Sequence, residues 1–199
     1  MSDPLVVQAT ATDRARVVET VVAAFAADPA FRFFFPDDAT YPDLVGRFAG
    51  YLFDKRLPHG GAWVVDGGRS VALWDPPAGE AARDLAAVPA PVLPDDAQAR
   101  LDTWDATVHH LLPSEPHWYL GVLATDPAHA GQRWGRAVMA AGLGRAVTAG
   151  LPAYLETATP ANVEVYERSG WAVTGTAAVG PVTVWVMRHP GGTSRPLAD

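Results

Sequence analysis

Two short stretches hold side chains whose spacing suits work on a bound ligand. In the first, Asn162 and Tyr166 stand four residues apart. On a helix they share one face, so an amide and a phenol can address a single molecule lying along the helix start. Thr159 can cap that helix, Pro160 suits its first turn, and Gly170 ends it before Trp171. A tyrosine packed on a sheet beside a solvated asparagine gives the same spacing. In the second stretch, Leu123-Ala124-Thr125-Asp126-Pro127 turns through His129-Ala130-Gly131 into a run that reads as a helix. A helix start leaves unpaired N–H groups, and these bind phosphate oxygens. Strand, glycine turn and helix is equally an ordinary packing unit of α/β proteins.

Other chemistries are excluded by what the chain lacks. It has no cysteine, which removes disulfides, thiolate metal sites and a thioester-linked enzyme intermediate. His109 and His110 are adjacent, so on a helix they do not face each other, and no third ligand is suitably spaced. No metal site is expected. There is no Gly-x-x-x-x-Gly-Lys loop for nucleotide phosphates and no Gly-x-Ser-x-Gly elbow. A net charge of −7 repels the nucleic-acid backbone, so no nucleic-acid partner is expected. With 49% hydrophobic and 19% charged residues and no long apolar run, the chain reads as a folded, soluble protein with no membrane partner. The start, Met1-Ser2-Asp3-Pro4, shows no leader pattern, so a cytoplasmic location is the expectation.

The elements that must position these residues alternate along the chain. Leu5 to Ala9 reads as a strand, and Thr12-Asp13 opens a helix with Val18, Val21, Val22 and Phe25 on one face. Phe31 to Asp38 reads as an aromatic loop, followed by a helix carrying Leu44, Phe48, Leu52 and Phe53. Ala62 to Asp66 and Ser70 to Trp74, separated by Gly67-Gly68-Arg69, form a hairpin. Gly79 to Leu112 is helical in composition but broken by Pro89, Pro91 and Pro94. A buried strand over His117 to Ala124 leads to a helix from about Gln132 to Ala149. Then come a strand, Ala153 to Thr157, a short helix, Ala161 to Ser169, and strands near Trp171 to Thr176 and Thr183 to Met187. Residues 1–189 make one domain, and 190–199 read as a flexible tail.

On these residues the chain resembles the GNAT N-acetyltransferases, and more closely their puromycin N-acetyltransferase-like members. The resemblance is carried by Glu115 to Leu120, by Asp126 to Gly135, and most specifically by Tyr154-Leu155-Glu156-Thr157 with Asn162 and Tyr166 to Trp171. Ala24 to Ala26, Asp28-Pro29 and Val71 to Trp74 agree as well. It implies a mixed α/β fold of the α+β type: a mostly antiparallel sheet of six to seven strands, flanked by helices and splayed like a V. Acetyl-CoA would be the acyl donor. Backbone groups of Leu123, Ala124 and Thr125 would hold pantetheine, with Asn162 beside it. The turn of Gly131, Gln132, Arg133, Trp134, Gly135 and Arg136 would take the pyrophosphate. Tyr166 would stand near the sulfur as general acid, and Glu156 is the candidate base, with a structural or substrate-orienting carboxylate as its alternative.

At the phosphate turn the family places Gln or Arg, two residues, Gly, one residue, then Gly or Ala. Here these positions are Ala130, Arg133 and Gly135, and only the last fits. Arg133 then either accepts a strained turn or holds a rearranged one, and its guanidinium can pair with phosphate. By the same resemblance the acceptor enters from the other end of the V. There Phe31, Phe35 and Trp74, with Phe33 and Phe34 beside them, can line an aromatic pocket or form core. The expected partner is a small-molecule amine of natural-product or antibiotic type, and the expected assembly a monomer or homodimer. The rival readings are a non-catalytic GNAT-fold binding or interaction module and a protein or peptide N-acetyltransferase.

Overall fold

The computed structural model describes residues 4–77 and 88–191. Seven strands form one sheet in the order β1-β2-β3-β4-β5-β7-β6: β1 (Val6–Gln8), β2 (Ala62–Val65), β3 (Ser70–Asp75), β4 (Trp118–Thr125), β5 (Ala153–Thr157), β6 (Ala172–Val179) and β7 (Val182–His189). Every neighbouring pair is antiparallel except β4 and β5. The helices are α1 (Arg14–Ala24), α2 (Pro29–Phe34), α3 (Tyr41–Arg56), α4 (Asp95–Leu111), α5 (Trp134–Ala149) and α6 (Pro160–Glu167). Helices α1 to α4 cover one face of the sheet, where Val17, Val45, Phe53, Trp104, Val64 and Val184 join one core. Helix α5 covers the other with Val138, Met139 and Ala146, packed on Trp74, Trp118, Leu120 and Leu155.

Local chemistry explains these boundaries. The segment expected as an aromatic loop is instead a short helix: Asp28 accepts from the amides of Ala30 and Phe31, and Pro29 fits its first position. Helix α1 buries Val17, Thr20 and Val21, while Val18, Val22 and Phe25 lie only partly covered. The face is therefore turned by one residue from the expected one. Helix α5 ends at Gly150, which is left-handed with φ 66°. Its small residues allow close approach to the sheet: a Cβ on Gly142 would lie 2.1 Å from Nε1 of Trp74. The hairpin of β2 and β3 and the limits of β5 agree with the expectation from sequence. Of the broken helical region residues 88–112 are described, as a non-helical approach through Pro94 and then α4, and residues 192–199 of the expected tail also lie outside the described residues. No described helix is long and apolar enough to cross a membrane.

Candidate active site

Strands β4 and β5 are paired only at Trp118 with Ala153, Tyr119 with Tyr154 and Leu120 with Leu155. Beyond these rungs β4 stays with β3 and β5 with β7, so a cleft opens between residues 121–125 and Glu156–Thr157. A bulge lies at the fork. Leu73 faces Val122 and Trp74 faces Leu120, leaving Gly121 without a partner. The extra residue reverses the alternation of β4. Trp118 and Leu120 pack toward α5 before it and Leu123 after it, whereas Tyr119, Val122 and Ala124 face the opposite core. A Cβ here would lie 2.4 Å from Nη2 of Arg56, so any larger residue would displace that guanidinium.

The cleft has two parts that share Phe25, Asp28, Leu123 and Asn162. The inner chamber, about 90 Å³, is lined by Phe31, Phe34, Trp104, Gly121, Glu156 and Tyr166 among others. The outer part, about 380 Å³, runs along Leu123, Ala124 and Thr125 to Ala24, Ala27 and Thr159. With β5 withdrawn, the backbone groups of β4 that point away from β3 have no strand to pair with. Asn162 donates from Nδ2 to Thr157 Oγ1 at 3.5 Å, and it shares the chamber wall with Tyr166 as their helical spacing predicts.

At the far end, Pro127–His129 forms a turn capped by Asp126, which accepts from the Ala128 amide at 2.9 Å. Gly131 and Arg133 are both left-handed, with φ 79° and 62°. Helix α5 starts at Trp134, and its earliest amide with a backbone acceptor is that of Ala137, bonded to Arg133 O at 3.1 Å. Among the described residues the backbone amides from Gly131 to Arg136 therefore find no backbone acceptor. Gly135 sits where a Cβ would be 3.2 Å from Thr125 Oγ1, so it serves the close contact of helix and strand. His129 stacks on Trp134 with ring centroids 4.8 Å apart, and its Nε2 lies 3.1 Å from Arg69 Nη1.

Burial controls the ionisable groups of the chamber. It pushes the Glu156 carboxyl up to about 7, while hydrogen bonds from Tyr119 and the Trp104 indole act in the opposite direction. Tyr119 donates from its phenol to Oε2 of Glu156. Burial also raises the Tyr166 phenol, helped by the negative charges of Glu156 and Asp28. Asp28 itself is raised by burial, against hydrogen bonds from Phe31, Ala30 and Thr159. One wall thus carries a carboxyl that can accept a proton near neutral pH and a phenol that keeps its own.

The aromatic residues singled out from sequence separate in space. Phe31 lines the chamber, but Phe35 is 1% exposed in the core and does not. Trp74 is fully buried on the opposite face of the sheet, against α5, and is not brought to the cleft. Phe33 turns away toward Gly180. Phe34 lines the chamber as expected, joined by Phe25, stacked on Phe31 at 4.2 Å, and Trp104, edge-on to Phe34 at 5.2 Å. The described residues hold no group of three or more His, Asp or Glu arranged for a metal.

Residues 97–171 match the Acetyltransferase (GNAT) family. That span includes all but the first two residues of α4, the fork of β4 and β5, the amide-lined turn and α6. The whole fold is similar to a histone acetyltransferase HPA2 and related acetyltransferase of Corynebacterium glutamicum, at 23% identity over 98% of this chain and 99% of that one, with TM-score 0.71. It is similar also to arylalkylamine N-acetyltransferase 2 of Aedes aegypti, at 10% identity, 94% and 98% coverage and TM-score 0.67. A polyamine N-acetyltransferase of Drosophila melanogaster aligns at 14% identity, 94% and 99% coverage and TM-score 0.63. The seven-stranded sheet with its splayed parallel pair is therefore the GNAT fold.

Proposed function

We propose that this chain is an acyl-CoA-dependent N-acetyltransferase that moves an acetyl group directly to a primary amine of a small molecule. The observation that carries this reading is that Glu156 and Tyr166 line one chamber at the closed end of a cleft whose wall leads along β4 to the unpaired amides of the 131–136 turn. Those amides fit a pyrophosphate, aided by the helix start. The open backbone of Leu123, Ala124 and Thr125, with Asn162 opposite, fits an amide-bearing arm such as pantetheine. Bound there, acetyl-CoA would supply a thioester whose C–S bond breaks as the amine forms its C–N bond. Glu156 takes the proton that the amine loses, and Tyr166 gives one to the departing sulfur. Transfer without a covalent enzyme intermediate agrees with a chain that has no cysteine.

The aromatic walls favour an acceptor with an apolar or aromatic body, of natural-product or antibiotic type, as in puromycin N-acetyltransferase-like proteins. The polyamine and arylalkylamine acetyltransferases among the similar folds also support a small acceptor. The left-handed Arg133 favours one second reading, a GNAT-fold binding module with a weakened phosphate turn. Thiol release from acetyl-CoA with a panel of aromatic and aliphatic amines separates the two. Turnover supports the enzyme; coenzyme binding with no turnover on any amine supports the module. Acetyl-CoA at about 100 times its Kd should also stabilise the fold by about 2.7 kcal/mol, and no thermal shift at millimolar coenzyme would defeat the enzyme reading.

A further inference from the structure

We propose that Tyr119 is the positioning residue for Glu156, holding one carboxyl oxygen so that the other is presented to the acceptor amine. This inference rests on the reading of Glu156 as base. Glu156 comes after the last rung between β4 and β5, so no neighbouring β4 residue is paired with it. Tyr119 sits inside the rungs, opposite Tyr154, and reaches diagonally to Oε2 of Glu156. Glu156 lines the chamber but Tyr119 does not. The phenol therefore stands behind the carboxyl and acts on a ligand only through it.

Tyr119 is itself fixed from the far side. Its partner across β3 and β4 is Asp75, which accepts from Arg56 at Oδ2 and whose buried Oδ1 has no hydrogen-bond partner among the described residues. The Arg56 guanidinium fills the space over Gly121, and a Cβ at that glycine would lie 3.6 Å from Tyr119 Cε1. The bulge thus has a second use: with no side chain at 121, Arg56 and the Tyr119 ring can sit side by side beneath the fork. A carboxylate held by one oxygen loses its freedom to rotate, and pre-set orientation of this kind lowers the cost of proton transfer. The other charged or titratable groups around Glu156 are Asp105 on α4 and Tyr166 on α6, itself acted on by Asp28 at the start of α2, with Asp75 and Arg56 acting behind Tyr119.

Tyr119→Phe removes the donor and keeps the ring. In protein labelled with ¹³C at glutamate carboxyls, the Glu156 signal is identified by its loss in Glu156→Gln, and its titration is compared in wild type and Tyr119→Phe. Loss of a hydrogen bond to the charged form should raise the midpoint by about one pH unit or more. The acid limb of kcat/KM for a primary amine with acetyl-CoA should move upward by the same amount, with KM for acetyl-CoA unchanged. An unmoved carbon titration overturns the positioning role. A carbon midpoint that rises while the acid limb stays in place overturns the base assignment and with it any part for Tyr119 in the reaction, while leaving the bond to Glu156 intact. Circular dichroism of the variant establishes that the fold is retained.

Discussion

Replacing Glu156 by glutamine keeps the size of the side chain and removes its charge, so the variant isolates what ionising this carboxyl costs the fold. Burial lifts its midpoint from 4.5 to about 7. A tenfold change in an ionisation constant is worth about 1.36 kcal/mol, so the displacement corresponds to roughly 3 kcal/mol. Between pH 4.5 and about 7 the folded chain keeps a proton here that the unfolded chain has released. Raising the pH across that interval therefore favours unfolding: the stability this site contributes is whole below 4.5 and gone once the pH passes about 7. Asp28 and Asp105 are raised as well, but both proteins contain them, so the difference reports Glu156 together with its coupling to Asp105. Urea unfolding of both proteins at about pH 4.5 and about pH 8 should show the wild type losing roughly 3 kcal/mol relative to Glu156→Gln. A stability difference that is the same at the two pH values would refute the account of Glu156 as a carboxyl that resists ionisation in its place.

Arg133 is exposed and left-handed, a conformation costing an L-residue on the order of 1–2 kcal/mol, part of which a glycine returns as about 0.5–1 kcal/mol of unfolded-chain freedom. Arg133→Gly should raise Tm by roughly 1–4 °C and tighten acetyl-CoA binding in calorimetry; weaker binding would make the guanidinium itself a phosphate ligand. Tyr166→Phe should lower kcat about 10²- to 10⁴-fold with coenzyme affinity unchanged, and a loss under about threefold would remove the phenol from the chemistry. Gly142→Ala places a methyl 2.1 Å from the buried Trp74 indole, so a melt should show destabilisation of about 1–3 kcal/mol. An unchanged melt would mean that α5 can slide on the sheet.

Periodicity and turn chemistry made most of the strands and helices readable, because each signal is local: the Gly67-Gly68-Arg69 connection, the Gly150 stop and the limits of β5 depend on nearby residues. Asn162 and Tyr166 were legible together for the same reason, since helical spacing alone puts them on one face. The aromatic pocket was not. Phe31, Phe33, Phe34 and Phe35 are equally apolar in sequence, and only the short α2 helix, set by the Asp28 cap, decides that Phe31 and Phe34 line the chamber while Phe35 enters the core. Trp74 falls on the wrong side of the sheet because alternation along β3 turns it toward α5. Tyr119 gave no separate signal, and Trp104 was only a weaker candidate for the aromatic pocket that it does line. Each has the spacing of an ordinary buried aromatic, and their closeness to Glu156 depends on pairings between strands and helices far apart in the chain.

The short pairing of β4 with β5 also makes the sheet a pair of leaves on a narrow hinge. One leaf is β1 to β4 and the other is β5, β7 and β6, joined by the three rungs at 118–120 and 153–155. Elsewhere in the sheet, strands of this length are held along most of their extent. A molecule laid from the 131–136 turn to Glu156 would clasp both leaves and stand in for the rungs that are missing. Occupancy of the cleft would then be legible mechanically, as slower amide exchange in β5 and β7, strands that lie a full leaf away from the turn where the phosphates would rest.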